Sequence, residues 1–189
     1  VGGIHTPGEC AADCARLCDA LHAALVARGV RFITGVPVDG VVQSQGRVRA
    51  VRAGGAEIET DAVVAALGTG VAAFARGLGL RVPVYPLKGY SLTVDVSDAP
   101  GAAPRVNVTD AARKVVFARL GQRMRVAGMA ELVGENTHIP ADRIDSLVAS
   151  ARALFPHASD YQDVRPWAGL RPATPTALPV IGRLRGGPS

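Results

Sequence analysis

The chain has 189 residues, 48% of them hydrophobic and 20% charged, with a net charge of +5. A sizeable core is affordable, wholesale disorder is excluded, and no apolar run approaches the ~20 residues that cross a bilayer. The basic side chains are scattered, without the one-sided clustering of a nucleic-acid footprint, so nucleic acid is not an expected partner. Three cysteines make no disulfide scaffold and fit a reducing compartment. The opening residues, Val1 to His5, lack the basic and apolar regions of a signal peptide.

Residues 9–28 predict an amphipathic helix, with Cys14, Leu17, Cys18, Leu21, Ala24 and Leu25 on one stripe and Gly29 as its stop. Val30–Thr34 reads as a short extended run. Val36–Val42 and Arg47–Val51 read as hairpin arms around Gln45-Gly46, and Gly54-Gly55 turns the chain into a third arm, Glu57–Thr60. Residues 62–67 form a continuous apolar run, which predicts a strand buried on both faces. A short helix follows Gly68-Thr69-Gly70.

Residues 84–96 alternate, with Tyr90, Leu92, Val94 and Val96 on one side, as in a half-buried strand. Residues 98–104 are a loop. Lys114–Leu120 and Arg123–Ala130 form a hairpin about Gly121-Gln122. Residues 141–155 form a second helix with Ile144, Leu147, Val148, Ala151, Leu154 and Phe155 on its core stripe, between Pro140 and Pro156. Val164 to Gly182 reads as strand plus ordered loop. The class is α+β: a large mixed or antiparallel sheet with flanking helices, with parts of two domains interleaved.

Few side chains suggest chemistry. Cys10, Cys14, Cys18 and His22 recur every fourth residue, but the ends of that ladder lie about 18 Å apart on a helix, too far for one metal. No metal site is expected, and the cysteines read as small core residues. His5, His22, His138 and His157 have no nucleophile in a recognised arrangement, so no hydrolase motif is present. The buried run ending in Gly68-Thr69-Gly70 would let a ligand approach the backbone. Arg171, between Gly169-Leu170 and Pro172, has a backbone stiffened on its C-terminal side. Its guanidinium could grip a carboxylate through two hydrogen bonds or pair within the fold; local chemistry leaves both open.

Four segments together carry a family resemblance: Gly2-Gly3-Ile4-His5-Thr6-Pro7-Gly8, Ala62 to Gly70, Tyr85-Pro86-Leu87-Lys88-Gly89-Tyr90-Ser91-Leu92, and Gly169-Leu170-Arg171-Pro172 through Leu178-Pro179-Val180-Ile181-Gly182. In order and spacing they resemble the FAD-dependent D-amino acid dehydrogenases of small-subunit type, within the D-amino acid oxidase and glycine oxidase superfamily. The resemblance implies a flavoprotein in which one domain binds FAD and an antiparallel sheet covers the flavin. Residues 1–34 would border the FAD domain, 35–80 would be part of it, 81–182 would form the substrate domain, and 183–189 a tail. The family's Gly-x-Gly-x-x-Gly strand is not among these residues, so the chain is expected to be a fragment.

By residue, the resemblance makes Arg171 the anchor of the substrate carboxylate and puts Tyr90 on the strand lining the pocket. Val38 would meet the adenine side of FAD through its backbone, and Leu67-Gly68 would lie against the cofactor. The implied reaction converts D-amino acids to 2-oxo acids and ammonia. It implies a quinone or the respiratory chain as electron acceptor. The implied location is cytoplasmic, with peripheral association at the inner face of the bacterial inner membrane. Two departures stand out: Gly70 where the family commonly has an aromatic, and Thr176-Ala177 where Asp-Gly is common. A glycine- or sarcosine-type amine oxidase, and a non-catalytic binding module, remain open alternatives.

Overall fold

A computed structural model describes residues 2–183. The predicted tail of 183–189 therefore lies, beyond Arg183, outside the described residues. The chain divides into two compact units, one built from Val1–Leu25 and Leu87–Leu170, the other from Val26–Pro86 and Arg171–Ser189.

The first unit is organised on a five-stranded sheet. Its strands are β4 (Tyr85–Asp95), β5 (Val108–Asp110), β6 (Val115–Leu120), β7 (Arg123–Glu131) and β8 (Arg165–Ala173), the unit boundaries falling after Pro86 in β4 and after Leu170 in β8, so that Arg171 belongs to the second unit; β1–β3 lie in the second unit. The spatial order is β5-β6-β7-β4-β8. Neighbours β5 and β6, β6 and β7, and β7 and β4 run antiparallel. Leu120 faces Arg123, so β6 and β7 are joined by the two-residue turn expected at Gly121-Gln122. Gly121 carries the positive φ, +67°, that such a turn requires at its first position.

Strand alternation decides what the sheet buries. Tyr90, Leu92 and Val94 lie opposite Gly128, Val126 and Met124, and Phe117 pairs with Val126, so these side chains share one face. Helix α3 (Ala141–Leu154) supplies Ile144, Leu147 and Ala151 to the same core, as its stripe predicts. Leu92, Phe117, Met124, Val126 and Leu147 are completely buried. The Phe117 ring meets Phe155 edge-on at 5.2 Å. Gly128 keeps this layer tight: a β-carbon there would stand 3.0 Å from Val115 and 3.2 Å from Leu147. Pro140 supplies the extended residue before α3, and Asp142 and Arg152 complement the dipole at its two ends.

Helix α1 (Cys14–Ala27) starts later than expected. Asp13 sets the boundary, because its carboxylate accepts the Arg16 N–H at 3.3 Å while its other oxygen pairs with Arg123 of β7 at 2.9 Å. The expected burial of its stripe does not occur. No residue of α1 is buried; Leu17 and Leu21 are half-exposed, and Cys10, Cys14 and Cys18 are free and exposed rather than small core residues. Amphipathic spacing prescribes an apolar face, but another element must cover that face before it becomes core.

In the second unit, β1 (Val38–Ser44), β2 (Arg47–Ala53) and β3 (Ala56–Glu59) form an antiparallel meander in that order. Both turns are two-residue loops with positive φ at each central position, Gln45-Gly46 and Gly54-Gly55, which fixes the register. Gly54 is also required sterically, since a β-carbon would lie 2.7 Å from Val36. Gly68–Gly70 is a 3-10 turn leading into α2 (Val71–Gly77).

Two expectations fail in this unit. Residues 30–34 form no strand, and 62–67 form neither a strand nor a buried segment; Val64 is 89% exposed. A run buried on both faces needs hydrogen-bonded neighbours and a covering layer. Among the described residues no strand pairs with 62–67.

Candidate functional site

Arg171 lies in β8, which is laid down by the extended preference of the residues around Pro166 and Pro172. The side chain is exposed and has no hydrogen-bond, ion-pair or ring partner among the described residues. An arginine whose five donors are unspent is competent to bind an incoming anion.

The loop after Arg171 is ordered by Thr174. Its carbonyl accepts the Ala177 N–H at 3.0 Å, and its hydroxyl donates to the Leu178 carbonyl at 2.7 Å. Ala177 carries a φ of +58°. The resemblance implies glycine at this position; here a residue with a β-carbon takes the left-handed backbone. The β-carbon costs about 1 kcal/mol in that region. Ala177→Gly is therefore expected to raise the melting temperature slightly, in a scan of the two proteins side by side; a lower melting temperature would show that the turn does not hold this conformation.

Tyr90 lies inside the first unit, 2% exposed. Its hydroxyl donates to Glu131 at 2.5 Å, and Arg143 Nε donates to the other oxygen of Glu131 at 2.6 Å. These two hydrogen bonds, first from Tyr90 and then from Arg143, hold the Glu131 carboxyl below the usual carboxylate range. The Lys88 ammonium lies 4.9 Å from the centre of the Tyr90 ring and donates to the His138 carbonyl. Lys88 is 1% exposed, a charge buried with one carbonyl and one ring as partners. Tyr90 is thus the centre of a buried polar network that ties β4, β7 and the start of α3 together, and its hydroxyl is engaged within the fold. Local alternation predicts the strand and the phase of Tyr90, but not Glu131 or Arg143, which stand 41 and 53 positions away.

Val38, Leu67 and Gly68 belong to the second unit. Val38 begins β1, an edge strand, beside a register shift, and its side chain is 49% exposed. Edge strands leave backbone donors and acceptors unpaired. Leu67 is 44% exposed, and Gly68 has a φ of +57° with nothing within 4 Å of where a β-carbon would be. At Val38 and at Gly68 the backbone is accessible, each by itself.

One cluster has no counterpart in the sequence-based expectations. Ala168 packs against the core, so alternation turns Trp167 and Gly169 to the opposite face of β8. There the Arg125 guanidinium stacks 4.9 Å from the centre of the indole. The ring leans over Gly169, where a β-carbon would come within 2.1 Å of it. The period-two spacing Trp167, Gly169, Arg171 is the signal that could have revealed this face. Among the described residues, no group of three His, Cys, Asp or Glu side chains could hold a metal ion, and no helix is long and apolar enough to cross a membrane.

A family model described as FAD dependent oxidoreductase matches residues 1–188. The D-amino acid dehydrogenase 2 of Pseudomonas aeruginosa is 45% identical over 183 residues, covering 96% of this chain and 44% of the relative. The D-amino acid dehydrogenase of Neisseria gonorrhoeae is 40% identical, covering 98% of this chain and 44% of its own. The chain thus spans less than half the length of the curated relatives it matches. Among solved structures, the L-proline dehydrogenase from P. horikoshii superposes with a TM-score of 0.78 at 16% identity, over 92% of this chain and 47% of that one. The glycine oxidase from Geobacillus kaustophilus gives 0.77 at 22% identity, over 91% and 45%. These two likenesses speak for the fold.

Proposed function

The chain belongs to the FAD dependent oxidoreductase family, and from that premise we propose that its protein oxidises D-amino acids to 2-oxo acids and ammonia. The observation that carries the reading is Arg171: exposed, unspent, and set in a stiff Gly-Leu-Arg-Pro segment. The curated relatives named as D-amino acid dehydrogenases support the choice of substrate.

In this reading Arg171 holds the substrate carboxylate through two parallel hydrogen bonds, which leaves the α-carbon as the free end to be oriented. Bound FAD supplies the hydride acceptor. Val38, through its backbone at the open edge of β1, and Leu67-Gly68, through an apolar side chain and an unobstructed backbone, would hold it. The same reading keeps Tyr90 as a candidate residue of the substrate strand, with its hydroxyl engaged by Glu131. The amine reacts in its neutral form: as the α-carbon gives up its hydrogen as hydride to the bound acceptor, the nitrogen lone pair forms the C=N bond and an N–H proton is released to water, and water then hydrolyses the imine to the 2-oxo acid and ammonia. The same reading takes a quinone or the respiratory chain as electron acceptor, and a cytoplasmic location with peripheral association at the inner membrane.

The test is anaerobic bleaching of flavin absorbance in the FAD-loaded protein. D-alanine is expected to bleach it, whereas L-alanine and sarcosine leave it oxidised. Bleaching by sarcosine or glycine in preference to D-alanine would transfer the assignment to an amine oxidase. Saturable binding of D-alanine with no bleaching would indicate a binding module.

A further inference from the structure

We propose that the first unit carries a carboxylate-binding site of its own, formed by Arg125, Thr93 and Ser91 and walled by the Trp167 indole. All four residues lie within Leu87–Leu170, so the site does not depend on Arg171. Strand register brings them together. In β4, Ser91 and Thr93 point away from the core that Tyr90, Leu92 and Val94 fill. Thr93 stands directly opposite Arg125 of β7, and Ser91 directly opposite Ala127. β4 lies between β7 and β8 in the sheet, so Arg125 and Trp167 flank it on either side. Strands two places apart are roughly 9–10 Å from each other, yet the guanidinium lies 4.9 Å from the centre of the indole. The two side chains therefore meet above β4. Their stack accounts for a contrast on this face: Val116 and Trp167 are 39% and 54% exposed, while Ser91 is 1% exposed.

The donors gathered here are unspent. The Ser91 hydroxyl is buried and has no hydrogen-bond partner among the described residues, which leaves a polar group desolvated without compensation. Among the described residues Thr93 makes no side-chain hydrogen bond, and Arg125 makes no hydrogen bond or ion pair beyond its contact with the indole face. The neighbouring charges on this face are committed elsewhere: Asp95 accepts the N–H and the hydroxyl of Ser97, and Arg123 pairs with Asp13. One positive charge beside two neutral hydroxyls matches a monoanion, and the guanidinium fork matches the two oxygens of a carboxylate. The indole adds an apolar wall for the carbon body of the ligand. For entry the stack parts, the guanidinium turns from the ring to the carboxylate, and the Ser91 hydroxyl beneath it gains an acceptor. The ligand class is therefore a monocarboxylate with a short apolar body.

The test uses the full-length protein carrying Arg171→Ala, so that Arg171 cannot bind the probe. 3-Methylbutanoate, which has no amine to oxidise, is expected to bind saturably by calorimetry, whereas its neutral isostere 3-methylbutanamide does not bind. Adding Arg125→Gln is expected to weaken the carboxylate by about 10-fold or more, and adding Ser91→Ala by about 3-fold or more. Ser91→Ala is also expected to keep or raise the melting temperature of the ligand-free protein, because it removes a hydroxyl that has no partner there. No saturable binding, binding unchanged by Arg125→Gln or by Ser91→Ala, or equal binding of the amide would overturn the inference and leave the oxidase reading standing. A melting temperature lowered by Ser91→Ala would overturn it as well, since the hydroxyl would then be satisfied within the fold.

Discussion

Arg171→Ala is expected to lower kcat/KM for D-amino acids roughly 30-fold to 5,000-fold, the equivalent of about 2–5 kcal/mol for breaking a desolvated charged pair. Most of the loss should appear in KM, because the guanidinium holds the carboxylate in the ground state as well as in the transition state. Flavin absorbance should survive, since the residues proposed to hold FAD are Val38, Leu67 and Gly68. Arg171→Lys should recover only part of the loss, because a point charge cannot reproduce two parallel hydrogen bonds. Steady-state kinetics on the three proteins, each checked for flavin content, decide the matter. Unchanged KM in Arg171→Ala would remove this side chain from the substrate. The prediction depends on the side chain being unspent, and the structure contains no partner for it among the described residues.

The second large effect concerns stability. Phe117→Ala is expected to cost about 3–5 kcal/mol, the range for deleting a fully buried aromatic ring that the surroundings only partly refill. Phe117 is completely buried on β6, paired across the sheet with Val126 and edge-on to Phe155 beyond the end of α3. Its removal detaches the helix layer from the sheet at one point and leaves a cavity there. Chemical denaturation followed by the emission of Trp167, in the same unit, gives the measurement. A loss below about 1 kcal/mol would mean that α3 closes onto the gap, or that the layer is looser than its packing indicates.

Much of this architecture was legible in local chemistry. The Gln45-Gly46, Gly54-Gly55 and Gly121-Gln122 turns were readable because a two-residue hairpin loop accepts few residue types, and the structure puts positive φ at Gln45, Gly46, Gly54, Gly55 and Gly121. The core stripe of α3 was readable because its apolar residues repeat with the helical period and α3 has a sheet to pack on. The run 62–67 and the stripe of α1 depart from expectation for a common reason. Their spacing states what they could bury, while burial itself depends on what lies against them, and local pattern carries no information about that. Strand β5, three residues long, is not predictable from pattern, because so short a segment has too little alternation to register.

The candidate site divides along the same line. The segment around Arg171, the phase of Tyr90 and the glycine at 68 could be read from residues alone, since stiffness, alternation and backbone freedom are local properties. That Arg171 has no partner among the described residues, that the Tyr90 hydroxyl belongs to Glu131, and that Arg125 props the indole of Trp167 over Gly169 are facts of tertiary structure. Each joins side chains that only chain folding brings within reach, and hydrogen bonds and ring stacking act over a few ångströms of space, whatever the separation along the chain. The sequence by itself thus determined which elements could form and which guanidinium was a candidate anchor. Packing decided which of the polar groups are already satisfied within the fold, because that depends on side chains distant in sequence.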